Sequence, residues 1–69
     1  MKGTNIMQSS ITNKKVINTL VQAGYGSTSL AYILCELEDH PTQREFILCY
    51  WLNKSAESQI IKELLKELA

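Results

Sequence analysis

The side chains best equipped for chemistry in this sequence are two thiols, one imidazole and a short acidic run. Cys35 and Cys49 are the only cysteines, His40 is the only histidine, and Glu36, Glu38 and Asp39 lie between them. A structural zinc site takes four ligands at short, regular spacings. Two thiols fourteen positions apart and one histidine do not supply them, and there is no C-x-x-C pair. The two cysteines are equidistant from position 42, so an antiparallel helix hairpin turning there would bring them level. That placement admits a redox switch. The plainer expectation is two small buried apolar side chains. His40 precedes Pro41 and reads as a turn residue, although the same position could sense pH. No Ser-His-Asp set, glycine-rich phosphate loop or carboxylate pair occurs, and the acidic run reads as the solvated end of a helix. The sequence therefore predicts no catalytic residue, no metal site and no cofactor, and a protein that is not an enzyme.

The elements that must carry these residues are helices. Thr12 suits an N-cap, with Ile11 and Val16 placed as a hydrophobic staple. Val16, Ile17, Leu20 and Val21 then recur on one face of a first helix over 13–23. Gly24 stands where a left-handed residue closes a helix, and Tyr25 beyond it is expected to plug the turn. A second helix spans about 28–38, capped by Ser27 or Thr28, with Leu30, Ile33, Leu34 and Leu37 as its stripe. The residue before proline avoids the α region, so it stops ahead of Pro41. Thr42 and Glu45 fit a capping box opening a third helix, with Pro41 and Phe46 as its staple. After a weak break at 53–55, a fourth helix runs over about 56–68 from a Ser55 cap. Its stripe is Ile60, Ile61, Leu64, Leu65 and Leu68, with Lys62, Glu63, Lys66 and Glu67 on its wet face. Continuity of the third and fourth helices remains open at this level. The expected architecture is all-α: a small bundle of three to four short helices in antiparallel hairpins. Residues 1–10 read as a flexible tail and 11–69 as one domain.

The third helix is the most informative segment, because residues 46–52 are apolar without interruption. At 100° per residue Phe46, Ile47 and Tyr50 share one side. Leu48 and Leu52 lie opposite, with Trp51 and Cys49 on the flanks. A helix apolar all round must be buried all round. Either the other three helices wrap this one, or one of its sides meets another protein. The side carrying Leu48, Leu52 and Trp51 is expected to make that contact, and Phe46, Leu48, Tyr50, Trp51 and Leu52 together are the residues expected in core and interface.

Two local resemblances add to this. Ala23-Gly24-Tyr25, following an amphipathic helix, resembles the Met-Gly-Phe loop of ubiquitin-associated domains, over roughly residues 12–52. The stretches 11–17 and 34–38 are similar to parts of small bacterial biofilm-regulatory connector proteins, a likeness that implies a helical dimer acting by binding partners. Neither resemblance assigns a role to an individual residue.

Composition narrows the partners. The 69 residues carry seven basic and seven acidic side chains and no net charge. Nucleic-acid binders draw much of their affinity from a basic excess, so that class is disfavoured. A helix-turn-helix reading fails because its second helix would be the most apolar segment present, leaving Lys14 and Lys15 as the basis for DNA association. The longest apolar run is too short to span a bilayer. No secretory signal is visible and cysteines are few, so a cytoplasmic location with reduced thiols is expected. A single core in so short a chain is thin, and a homodimer is the expected source of further burial. The sequence thus predicts a small non-enzymatic regulator or adaptor working through a protein partner. A DNA-associated regulator and a structural subunit of a larger complex are the alternatives.

Overall fold

A computed structural model describes residues 13–69; the tail, Ile11 and Thr12 lie outside them, as do the expectations placed there. The described chain is all-helical: α1 (Lys14–Gln22), α2 (Ser27–Asp39), a 3-10 turn (Pro41–Gln43), α3 (Arg44–Leu52) and α4 (Gln59–Leu68). Among the described residues α2 packs on α3, α3 on α4, α4 on α1 and α1 on α2, so the bundle closes into a ring. Inside the ring sit Val16 and Leu20 from α1, Ile33, Leu34 and Leu37 from α2, Ile47 and Leu48 from α3, and Ile61 and Leu64 from α4. Each amphipathic stripe predicted for α1, α2 and α4 supplies buried residues. Of their remaining members, Ile17, Leu30, Ile60, Leu65 and Leu68 pack half-buried around the core, while Val21, expected on the buried face of α1, stands 48% exposed.

The boundaries follow from capping. At the start of α1 the Asn13 side chain accepts from the amides of Lys15 and Val16 at 2.9 and 3.1 Å. An asparagine oxygen thus satisfies two of the four orphan donors there. At its end Gly24 has φ +102°, a conformation open to glycine and strained for other residues. The Gly24 amide donates to the Val21 carbonyl and the Tyr25 amide to that of Leu20, completing a Schellman motif.

Four predicted starts are corrected. Helix α1 begins at Lys14 and is capped by Asn13, not by Thr12. Helix α2 begins at Ser27 from a Gly26 cap with no side-chain bond, so neither Ser27 nor Thr28 caps it. The Thr42–Glu45 capping box is not the start of α3. Pro41 opens a 3-10 turn instead, and the helix proper follows from Gln43, again without a side-chain cap. Helix α4 begins at Gln59 rather than Ala56, because the Ser55 hydroxyl accepts from the Glu57 amide in a separate turn. Helices α3 and α4 are distinct elements. Asn53 divides them with φ 56° and ψ 47°, one of the few side chains that tolerates the left-handed region.

Polar ties lock the ring. The Lys15 ammonium meets Glu63 at 3.0 Å, and Asn13 Nδ2 donates to Glu67 at 2.8 Å, joining α1 to the outer face of α4. Hydrogen bonding and charge from Lys15 hold the Glu63 carboxyl below its ordinary pKa, and Glu63 raises that of Lys15. Arg44 Nε donates to the Leu37 carbonyl at 2.8 Å and its terminal amine to the Leu68 carbonyl at 2.9 Å. One guanidinium thereby serves the carboxyl ends of two helices, where unpaired carbonyls and the helix dipole both favour a cation.

Leu48 is wholly buried and Phe46 is 71% exposed on the same helix. Leu48→Ala is expected to lose about 2–5 kcal/mol of stability, while Phe46→Ala changes it by less than about 0.5 kcal/mol, read from urea unfolding midpoints. Removing the guanidinium with Arg44→Met is expected to cost about 1–3 kcal/mol in the same assay. An Arg44→Met midpoint equal to wild type would refute the double cap.

Candidate functional site

Helices α2 and α3 run in opposite directions. Arg44 reaches Leu37 near the turn, whereas Trp51 approaches Tyr32 and Glu36 farther along. Tyr32 and Glu36 are four residues apart on α2 and so share a face. The same rule pairs Phe46 with Tyr50 and Ile47 with Trp51 on α3. These six side chains line an open groove of about 400 Å³ between the two helices.

Trp51 organises the groove. Its ring makes edge-to-face contacts with Tyr50 (centroids 5.3 Å, interplanar 89°), Tyr25 (5.7 Å, 81°) and Tyr32 (5.9 Å, 74°). Such pairs contribute roughly 0.5–1.5 kcal/mol each beyond area burial. The Tyr25 hydroxyl, carried by the turn after α1, also donates to the Trp51 backbone carbonyl. It therefore satisfies one of the orphan carbonyls at the end of α3 and fixes the indole from behind. The plug expected at Tyr25 is present, with this second task added.

The one charged group in the groove is Glu36. The indole Nε1–H points at its carboxylate at 3.4 Å, a long contact, and the Tyr32 hydroxyl donates to it. That hydrogen bond, and then the carboxylate's charge, raise the Tyr32 pKa above its ordinary value of 10.0. Among the described residues the ion pair formed is Lys15–Glu63, and Glu36 has no cationic partner.

The five residues singled out from the sequence separate into three environments. Leu48 is in the core at 0% exposure and presents nothing to a partner. Leu52 is half-buried and lines a second shallow groove with Thr19, Gln22, Ala23 and Lys54. Phe46 (71% exposed), Tyr50 (69%) and the half-buried Trp51 line the aromatic groove. The outward side of α3 is therefore the Phe46/Tyr50 side, not the Leu48/Leu52 side. A helical wheel shows which residues share a side; it does not show which side the neighbours cover. Here α2 and α4 close on Ile47 and Leu48. Sequence reasoning missed Tyr32, which stands 50% exposed on α2, and Glu36, read only as part of a solvated acidic end. The available signal was their four-residue spacing opposite the aromatic face of α3.

The remaining candidates stay apart from the groove. Cys35 and Cys49 are both half-buried and not joined in a disulfide, and His40 is exposed in the turn. No cluster of three or more potential ligands capable of holding a metal occurs among the described residues. Nor is any helix among them long and apolar enough to cross a membrane. Comparison with known proteins finds no counterpart: no family model, no curated protein and no solved structure matches the chain.

The Tyr32–Glu36 bond has a titration signature. A tyrosine whose folded pKa is raised contributes stability that is complete below its unfolded value near 10 and is lost as pH rises through the folded value. Glu36→Gln removes the charge and should bring one tyrosine transition down towards its ordinary range. Ultraviolet difference titration of wild type and variant checks this, and superimposable curves would refute the contact.

Proposed function

We propose that this chain is a small, non-enzymatic regulatory or adaptor protein of the cytoplasm that acts by binding another protein through the aromatic face of α2 and α3. One observation carries the reading: Tyr32, Phe46 and Tyr50 stand together in solvent, 50–71% exposed, around an indole anchored from behind by Tyr25. A short chain has few large apolar side chains to fill its core, and these three are left outside it. Tyrosine and tryptophan are enriched at binding hot spots because they bring large contact area with few rotatable bonds and a polar edge. An indole already held by three rings loses little further freedom when a partner docks.

The DNA-associated reading draws less support, since Lys15 is already engaged by Glu63 across α1 and α4. Two cysteines not joined in a disulfide accord with a reducing compartment. A homodimer built on the same aromatic face is a second way to cover it, and light scattering across the micromolar range separates self-association from a different partner.

The decisive variant is Phe46→Ser with Tyr50→Ser. Both positions are exposed, so circular dichroism should be unchanged. Either the wild-type chain self-associates and the variant is monomeric, or affinity capture from the native host recovers a protein with the wild type that the variant fails to retain. Identical assembly and identical capture by both chains would overturn the proposal.

A further inference from the structure

The groove combines two features that a merely greasy surface lacks: several aromatic rings and one carboxylate with no cationic partner among the described residues. Tyr32 and Tyr50 stand nearly perpendicular to the Trp51 indole, Phe46 borders the same space, and Glu36 lies among them. The faces of aromatic rings carry negative electrostatic potential and attract cations within about 6 Å of the ring centroid. A carboxylate adds a full negative charge. Two donors approach Glu36, the Tyr32 hydroxyl and the Trp51 indole. An ionised carboxylate offers roughly four acceptor positions, so capacity for two more bonds remains.

We infer that this groove is a receptor for an arginine side chain presented by a partner protein, with the guanidinium stacked among Tyr32, Tyr50 and Trp51 and hydrogen-bonded to Glu36. This rests on the protein-binding reading above and specifies what the partner must offer. The fit favours arginine over lysine. A guanidinium is planar, stacks on aromatic faces, meets a carboxylate with two parallel N–H bonds and is more weakly hydrated than an ammonium. The groove, at about 400 Å³ and open on one side, admits a side chain entering from a docked segment.

The choice of arginine also decides between partners. The chain contains one arginine, Arg44, and its guanidinium is already committed to the Leu37 and Leu68 carbonyls. A second copy could offer an arginine only by releasing two of its own helix ends. The occupant is therefore a different protein, one with an exposed arginine in a segment able to lie along α2 and α3.

The single tryptophan makes the test direct, because one indole N–H resonance reports on the groove. The full chain, labelled with nitrogen-15, is titrated with acetyl-Gly-Arg-Gly-amide, and separately with the citrulline and lysine versions. Citrulline keeps the shape of arginine without its charge. The arginine peptide should move the Trp51 indole resonance along a saturable curve. The lysine peptide should bind more weakly and the citrulline peptide about tenfold more weakly or not at all. Glu36→Gln should lower affinity for the arginine peptide by a similar factor while leaving the amide spectrum folded. Should that variant fail to fold, the arginine–citrulline comparison on the wild type decides alone. Equal shifts from arginine and citrulline, no shift from arginine, or undiminished binding by a folded Glu36→Gln chain would each overturn the inference. Should the Phe46→Ser/Tyr50→Ser chain lose its partner while arginine and citrulline peptides behave alike, the adaptor reading stands and the arginine receptor falls.

Discussion

Residues 46–52 of α3 are apolar on every side, and among the described residues α2 and α4 are the α-helices that pack closely against them. That mismatch between greasy surface and available cover shapes the rest of the molecule. The neighbours close on Ile47 and Leu48, and this choice determines everything outward of them. Phe46 and Tyr50 are left in solvent, Trp51 sits at the boundary, and the tyrosines of α2 and of the first turn converge on the indole. The surface is the remainder of a core that so few residues cannot complete. Its aromatic composition makes that remainder useful, because each exposed ring still offers a polar edge to water.

The polar framework answers a related constraint. Four short helices have eight ends, each with unpaired backbone groups, in a domain with little room to bury them safely. Few residues are given to the task, and several do more than one thing. Arg44 closes α2 and α4 together, Tyr25 packs beside Trp51 while binding its carbonyl, and Asn13 caps α1 while reaching Glu67. Such sharing is economical in a short chain, and it couples the helices: disturbing one of these side chains disturbs two elements at once.

Much of the fold was legible in the sequence for reasons that can be named residue by residue. The stripes of α1, α2 and α4 obey a period near 3.6, and Gly24 sits where the chain must turn left-handed. The pause before Pro41 and the helical state of residues 46–52 were readable too. The errors share one cause, since local motifs compete. Thr42 and Glu45 form a legitimate capping pattern, yet Pro41 one residue earlier starts a tighter turn and shifts the cap to Gln43. Ser55 is a sound helix starter that initiates only a turn. Asn53 was read as part of a weak break when it is a definite left-handed stop. The site was less legible. Its α3 half, Phe46, Tyr50 and Trp51, was visible as an unusual aromatic concentration. Which side of the helix faced outward was not, because that depends on tertiary packing. Tyr32 and Glu36 entered only when α2 was laid against α3.

One feature of α3 reaches beyond the folded state. Phe-Ile-Leu-Cys-Tyr-Trp-Leu, residues 46–52, combines β-branched and aromatic side chains with no charge, no proline and no glycine. Released from its neighbours, such a heptapeptide has the composition of a cross-β segment able to stack strand on strand with its copies. The chain brackets it with Arg44 and Glu45 on one side and Asn53 and Lys54 on the other, residues of the gatekeeper type. The helix is thus a protected conformation of an aggregation-prone word. Heating or truncation that frees it should lead to insoluble assembly faster than to reversible unfolding, so the working life of this protein is governed by how seldom its ring of helices opens.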